Sequence, residues 1–338
     1  MKRKLADATR AIAALFAFFT CAFALHAPAV ANTVAAYPHA GPVSLVVPYP
    51  AGGSADASAR IFAGPIAESL GQNVVVENIG GASGTIAAKR LLNGKTDGYT
   101  IFFGSPSELI LPTLVNKAIT FKPEDFALIQ PISTATIVLL TRSDLGVKTL
   151  DDFIRLAQKK DSAPLTYASI GMGSMYHLIT DRLAKEMNLN VQHVPYRGAA
   201  PALIDLAGGQ VDFAVLAFQT SMIGLQNEGR IKILSTLGSK APEPLKDIPK
   251  VTDSKLLKDF DYSISAGYFV KKGTSQQVVE KLRQAVSFAL EKKDVREKLE
   301  IEGRIVLDPM STQDNEAFWQ QQIKSLRDLV DIVGYEPI

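Results

Sequence analysis

Short apolar runs alternate with stretches of helical periodicity along most of this chain, and that alternation restricts the fold more than any other feature. Val43–Val47, Val74–Glu77, Tyr99–Phe103, Leu165–Ala168, Val191–Val194, Phe213–Leu216 and Ile231–Leu234 have the length and composition of strands. Between them, Asp56–Leu70, Thr85–Leu92, Leu150–Gln158, Ser174–Met187 and Pro201–Ala207 carry apolar residues every three or four positions, as Ile61, Phe62, Ile66 and Leu70 do. Strands alternating with helices read as βαβ units, so the fold class is α/β with parallel sheets.

The first residues follow a different rule. Lys2, Arg3, Lys4 and Arg10 precede an uncharged apolar run, Ala11–Leu25, and Ala29-Val30-Ala31 supplies a small-residue cleavage site. This is the pattern of a secretory signal peptide over residues 1–31, too short for a membrane span and pointing to export into the periplasm. Removing 31 of 338 residues leaves 307, enough for about two domains. The only cysteine, Cys21, lies in the removed run, so the remainder has neither a disulfide nor a thiol nucleophile. The whole chain carries a net charge of +2; the first 31 residues hold four basic residues and one acid, which leaves −1. Such a balance provides no electrostatic footprint for nucleic acid or an anionic membrane, and stable membrane insertion of the processed chain is not expected.

Thr149 with Asp152, and Ser311 with Asp314, are spaced as capping boxes ahead of helical patterns. The stretch Gln276–Val333 is charged and mainly helical, and Phe318, Trp319, Ile323, Leu326 and Leu329 recur on one face as packing residues. Pro242, Pro244 and Pro249 mark Gly238–Ser254 as a long surface loop.

Two glycine-bearing loops carry the chemistry. Pro48-Tyr49-Pro50-Ala51-Gly52-Gly53-Ser54-Ala55-Asp56 leaves the first strand and opens a helix. Glycine permits close backbone approach, and free N–H groups at a helix start favour a carboxylate or phosphate. The plainer reading is a βα turn in which Ser54 or Asp56 caps the helix and Asp56 pairs with Arg60. Tyr167-Ala168-Ser169-Ile170-Gly171-Met172-Gly173-Ser174 repeats the arrangement, with His177 one turn into the next helix as a ligand contact or a satisfied helix residue. Tyr196-Arg197-Gly198-Ala199-Ala200-Pro201 also lies at a strand's carboxyl end, where open α/β sheets bind ligands, and Arg197 is either a partner for a distal ligand charge or a solvent-facing loop arginine. Gly208-Gly209-Gln210-Val211-Asp212 is a tight turn entering a strand. Neither glycine loop has a basic cluster, so backbone N–H groups and hydroxyls are expected to hold an anion without a buried arginine.

Several catalytic signatures fail. Tyr176 stands where a dinucleotide fingerprint needs its third glycine, and Lys89 stands where a phosphate loop ending in Gly94-Lys95-Thr96 needs its first. No G-x-S-x-G elbow is present, and His39, His177 and His193 lack metal-ligand spacing. No catalytic residue, cofactor or metal is therefore expected.

In order and spacing, Val46 to Asp56, Val76-Glu77-Asn78, Asp97-Gly98-Tyr99-Thr100, Gly171-Met172-Gly173-Ser174, Val194 to Pro201, Gly208 to Asp212 and Ile248-Pro249-Lys250-Val251 resemble the substrate-binding proteins of tripartite tricarboxylate transporters, the Bug family. The resemblance covers essentially all of the chain after residue 31. It implies a two-lobed periplasmic-binding-protein clam-shell with the ligand cleft between lobes. The first lobe would be discontinuous, over 32–137 and 262–338, and the second would span 138–261, with crossings near Ser133–Thr141 and Asp259–Ala266. A ligand carboxylate would be held by backbone groups and water from Tyr49–Asp56 and Ser169–Ser174. The ligand-binding set expected on this basis takes Tyr49, Ala51, Gly52, Gly53, Ser54 and Asp56 from the first loop, and Ser105 and Ser107 after the third strand. It continues with Ser169, Gly171, Met172, Gly173, Ser174 and His177, then Tyr196, Arg197, Gly198, Asp212 and Phe218. The family pattern departs at Ile79-Gly80, where an Arg-Pro pair is frequent, at Glu108, where a histidine is, and at Ser265, where a tryptophan is. The implied role is capture of a small carboxylate, an organic or amino acid, for the permease subunits of a tripartite transporter. An exported hydrolase acting on a small acid, and a receptor presenting ligand to a membrane sensor, are the alternatives.

Overall fold

The structure, a computed structural model, describes residues 37–257 and 260–337; the signal-peptide segment and part of the second expected crossing lie outside them. Strands β1 (Val43–Val47), β2 (Val74–Asn78) and β3 (Thr100–Gly104) pair in parallel with β1 in the middle. Helix α1 (Ser54–Leu70) connects β1 to β2, and α2 (Thr85–Leu92) leads to β3. Next come α3 (Pro106–Val115) and the 17-residue strand β4 (Phe126–Arg142).

β4 is followed by α4 (Leu150–Ala157), β5 (Leu165–Ser169), α5 (Met175–Met187), β6 (Val191–Pro195), α6 (Ala199–Ala207), β7 (Phe213–Ala217), α7 (Ser221–Asn227) and β8 (Ile231–Thr236). The chain then returns through β9 (Ser263–Lys271), α8 (Gln276–Glu291), α9 (Lys293–Ile301), β10 (Arg304–Val306) and α10 (Thr312–Val333). No helix among the described residues is long and apolar enough to cross a membrane.

Two sheets result, and β4 belongs to both. Its residues Phe126 to Thr136 pair antiparallel with β9, and Ser133 to Ala135 with β10, in sheet 1, ordered β2-β1-β3-β9-β4-β10. From Ile137 onward it pairs antiparallel with β7 and β8 in sheet 2, ordered β6-β5-β7-β4-β8. The expectation of parallel sheets is therefore corrected to mixed ones. The βαβ units are parallel, but β4 runs through both sheets and β9 returns the chain to sheet 1, and a strand entering from the opposite end pairs antiparallel.

Apolar periodicity explains the packing. Phe62 and Ile66 of α1 meet Leu282, Val286 and Leu290 of α8 on one face of sheet 1. On the other face α10 reaches across both sheets, touching α3, α5 and β4, with Trp319, Ile323, Leu326 and Leu329 buried. Trp319 meets Phe269 edge-on at 5.3 Å. Truncating such a residue to Ala costs roughly 3–5 kcal/mol. Both expected caps form: Thr149 accepts from the Asp152 N–H, and Ser311 from the Asp314 N–H. The Gly238–Ser254 connection is less superficial than its prolines imply, because Leu245 and Val251 are buried within it.

Candidate functional site

The cleft forms where the carboxyl ends of β1 and β3 in sheet 1 approach those of β5, β6 and β7 in sheet 2. An inner cavity of about 140 Å³ lies there, well above the roughly 10–15 Å³ that a single water needs. Tyr49, Ala51, Gly53 and Ser54 line it from the first loop, Ser105 and Glu108 follow β3, and Gly198 begins α6. Ile264, Ser265 and Arg304 complete it from the returning strands.

The first loop is organised by Asp56. Its buried carboxylate accepts the Gly52 N–H at 2.9 Å, Arg60 Nε at 3.0 Å and Asn78 Nδ2 at 3.0 Å. Burial alone would raise its pKa, but the hydrogen bonds from Arg60, Gly52 and Asn78 hold it below the usual carboxylate value. Gly52 adopts φ 83°, the left-handed region glycine tolerates. Gly53 is the N-cap of α1, and no side chain caps the helix, so the first-turn N–H groups open on the cavity. Asp56 and Gly52 thus shape the loop, while Gly53 and Ser54 present it; the Asp56–Arg60 pair and the anion-site geometry coexist.

The second loop is placed differently from the expectation. Gly171, Met172 and Gly173 line a wider adjoining groove of about 820 Å³, which also takes Tyr196 and Arg197, and Ser174 lines a small recess between the two spaces. Tyr49 and Ile170 border all three. The two glycine loops therefore share the cleft, not a single cavity. Three N–H groups of the second loop are also occupied: Gly171 donates to Ser169 Oγ, Gly173 to His177 Nδ1 and Ser174 to the Gly171 carbonyl. The loop meets the first lobe directly. Ser83 Oγ donates to the Met172 carbonyl at 3.1 Å, and a Cβ at Gly173 would come 2.5 Å from Val115 Cγ2.

Besides Gly52 and Asp56, which shape the first loop from outside, four expected ligand contacts line none of the three spaces. His177 supports the second loop from behind: with Nδ1 accepting from Gly173, Nε2 faces Asp181 at 3.2 Å, and the ring stacks on His193 at 4.0 Å. Burial lowers the pKa of His177 to about 4 and of His193 to about 4. Ser169 Oγ lies 2.6 Å from His193 Nε2, a pairing that superficially suggests a nucleophile and base. Ser169 is 0% exposed and borders none of the three spaces. Asp212 precedes β7, at the amino end of the strand, where it accepts from Arg142 Nε and from the N–H and hydroxyl of Thr166. Phe218 is buried against Gly303, and Gln219 takes its place at the cavity. Ser107 borders the recess; its N–H donates to Ser105 Oγ, which caps α3.

Two ionisable residues in the cavity have larger roles than the sequence indicated. Glu108 is 5% exposed and accepts from the Tyr49 hydroxyl at 2.5 Å and from the Ser105 N–H. Burial raises its pKa from 4.5 to about 7, although those donors pull the other way. Arg304 is 8% exposed, and burial lowers its pKa. A buried arginine thus stands where none was expected. The sequence signal for Glu108 was available, since Ser105-Pro106-Ser107-Glu108 is a capping box with proline at the first helical position. Arg304 had none, because its place depends on the pairing of β10 with β4. Among the described residues no group of three or more His, Cys, Asp or Glu side chains could hold a metal.

Residues 58–335 match the family model described as "Tripartite tricarboxylate transporter family receptor". Three solved structures are similar over nearly their full lengths. MatC from Rhodopseudomonas palustris with bound malate is 28% identical, with 86% of this chain and 99% of that one covered and a TM-score of 0.79. An R. palustris protein solved with adipate is 27% identical, with 89% and 100% covered and a TM-score of 0.82. The periplasmic binding protein BugD is 29% identical, with 89% and 100% covered and a TM-score of 0.80.

Proposed function

The chain belongs to the tripartite tricarboxylate transporter receptor family, a family of substrate-binding receptors and not of enzymes, and from that premise we propose that it captures a small carboxylate in its interlobe cavity and delivers it to membrane permease subunits. One observation carries the reading. The uncapped start of α1 opens on a cavity at the strands' carboxyl ends, so unpartnered N–H groups and the helix dipole converge where an anion would sit. The relatives solved with malate and adipate agree with a carboxylate of this size. The same reading takes residues 1–31 as a signal peptide and the periplasm as the site of action. It places the lobes at 32–137 with 262–338, and at 138–261.

The contacts between Ser83 and Met172, and between Val115 and Gly173, suit a shut cleft that opens to exchange ligand. Calorimetric titration of the full chain against a carboxylate panel, with product analysis, tests the proposal. One-to-one binding with the ligand recovered unchanged is expected. Failure of every carboxylate to bind, or its conversion to product, would refute it.

A further inference from the structure

Arg304 opens β10, pairing with Ala135 of β4 beside the point where β4 passes between the sheets. The residue before it, Gly303, adopts φ 74°, and a Cβ there would lie 2.3 Å from the Phe218 ring. Glycine is what lets the chain enter under that ring and bring the next side chain to the base of the cavity. The guanidinium so delivered is buried, Nε has no hydrogen-bond partner, and among the described residues it forms no ion pair, Tyr176 and Glu302 acting on it only through space. Glu108, in the same cavity, forms no ion pair with it; the Glu108 oxygens accept from Tyr49 and Ser105 instead. A buried cation without a partner is strongly unfavourable, and structural arginines in such places are normally paired.

The cavity therefore has two separate attractions for negative charge: the α1 start on the wall formed by the first loop, and Arg304 beside β4. Building on the carboxylate-capture reading, we propose that Arg304 pairs with a second acidic group of the ligand, so that this receptor selects compact dicarboxylates over monocarboxylates of the same length. A guanidinium suits this role because its planar donors match a carboxylate in a bidentate pair.

The test titrates the full chain with succinate and adipate and with the monomethyl ester of each, which removes one charge at nearly constant length. The parent is expected to favour the better-fitting diacid over its ester by at least about tenfold, the value of a hydrogen bond to a charged group. Arg304→Met should bring the two within roughly threefold by weakening the diacid alone, and Arg304→Lys should keep part of the preference. Ligand-free Arg304→Met should unfold at the same or a higher temperature, because an uncompensated cation has been removed. A diacid preference that persists in Arg304→Met, or a parent that favours the esters, would overturn the assignment while leaving carboxylate capture intact. A parent that binds none of the carboxylates would remove both.

Discussion

Gly173→Ala separates the cost of a backbone conformation from the cost of closing the cleft. Gly173 sits at φ 67°, where an L-residue costs roughly 1–2 kcal/mol. That penalty is carried in the open and shut states alike, so it appears as lost stability. The new Cβ would also lie 2.5 Å from Val115 Cγ2 and 3.3 Å from Val115 Cβ, atoms of α3 on the opposite lobe. This overlap exists only when the lobes are together, and overpacking of this kind costs typically 1–3 kcal/mol. Ligand affinity should therefore fall about 5- to 150-fold, at about 1.4 kcal/mol per decade. Gly146→Ala is the matched control, since Gly146 has φ 77° with nothing within 4 Å of the added carbon. It should lose similar stability and no affinity. Val115→Ala in the Gly173→Ala background should restore most of the binding. Calorimetry gives the affinities and urea denaturation the stabilities. Equal affinity for the two glycine variants, or no recovery with Val115→Ala, would show that the Gly173–Val115 contact does not report closure.

Two further outcomes concern single carboxylates. Glu108 holds its proton more tightly folded than unfolded, about 7 against 4.5, so the stability it contributes is full below about 4.5 and is lost as pH rises through about 7. The ceiling is about 3 kcal/mol at 1.36 kcal/mol per pH unit, and urea denaturation at acidic and alkaline pH should show Glu108→Gln flattening this slope; an unchanged slope would remove Glu108 as its source. Asp212→Ala should cost about 1–3 kcal/mol of stability by stranding the Thr166 N–H and leaving Arg142 with Asp144 alone, with carboxylate affinity unchanged; weakened binding in a folded variant would return Asp212 to the ligand site.

The parts of the fold legible in the sequence are those specified locally. Val43–Val47 forms the expected strand because four of its five residues are apolar and it ends at a proline-glycine turn, and the Thr149 and Ser311 caps form because their partners are three residues away. Strand direction is not local, and the antiparallel pairing of β4 with β7, β8, β9 and β10 was hidden for that reason. Helix α3 is not among the expected helices; it carries Pro106 and Pro112, residues that disfavour a helix interior, although Pro106 sits where a proline starts a helix. At the site, the first loop was readable as strand, glycines and helix start. The occupied N–H groups of the second loop depend on the tautomer and placement of His177, and Arg304 on a partner strand far away in sequence.

The 17-residue strand β4 has a consequence for how such receptors diversify. Because one uninterrupted ribbon supplies an interior strand to each sheet, neither half keeps its hydrogen-bonded middle if the other is taken away. Recombination between relatives has no clean seam at this crossing: a graft must carry the strand whole, with both sets of neighbours matched to it, or leave a raw sheet edge prone to aggregation. New specificity is therefore more accessible through exchanges in the loops at the strand ends than through swapping lobes.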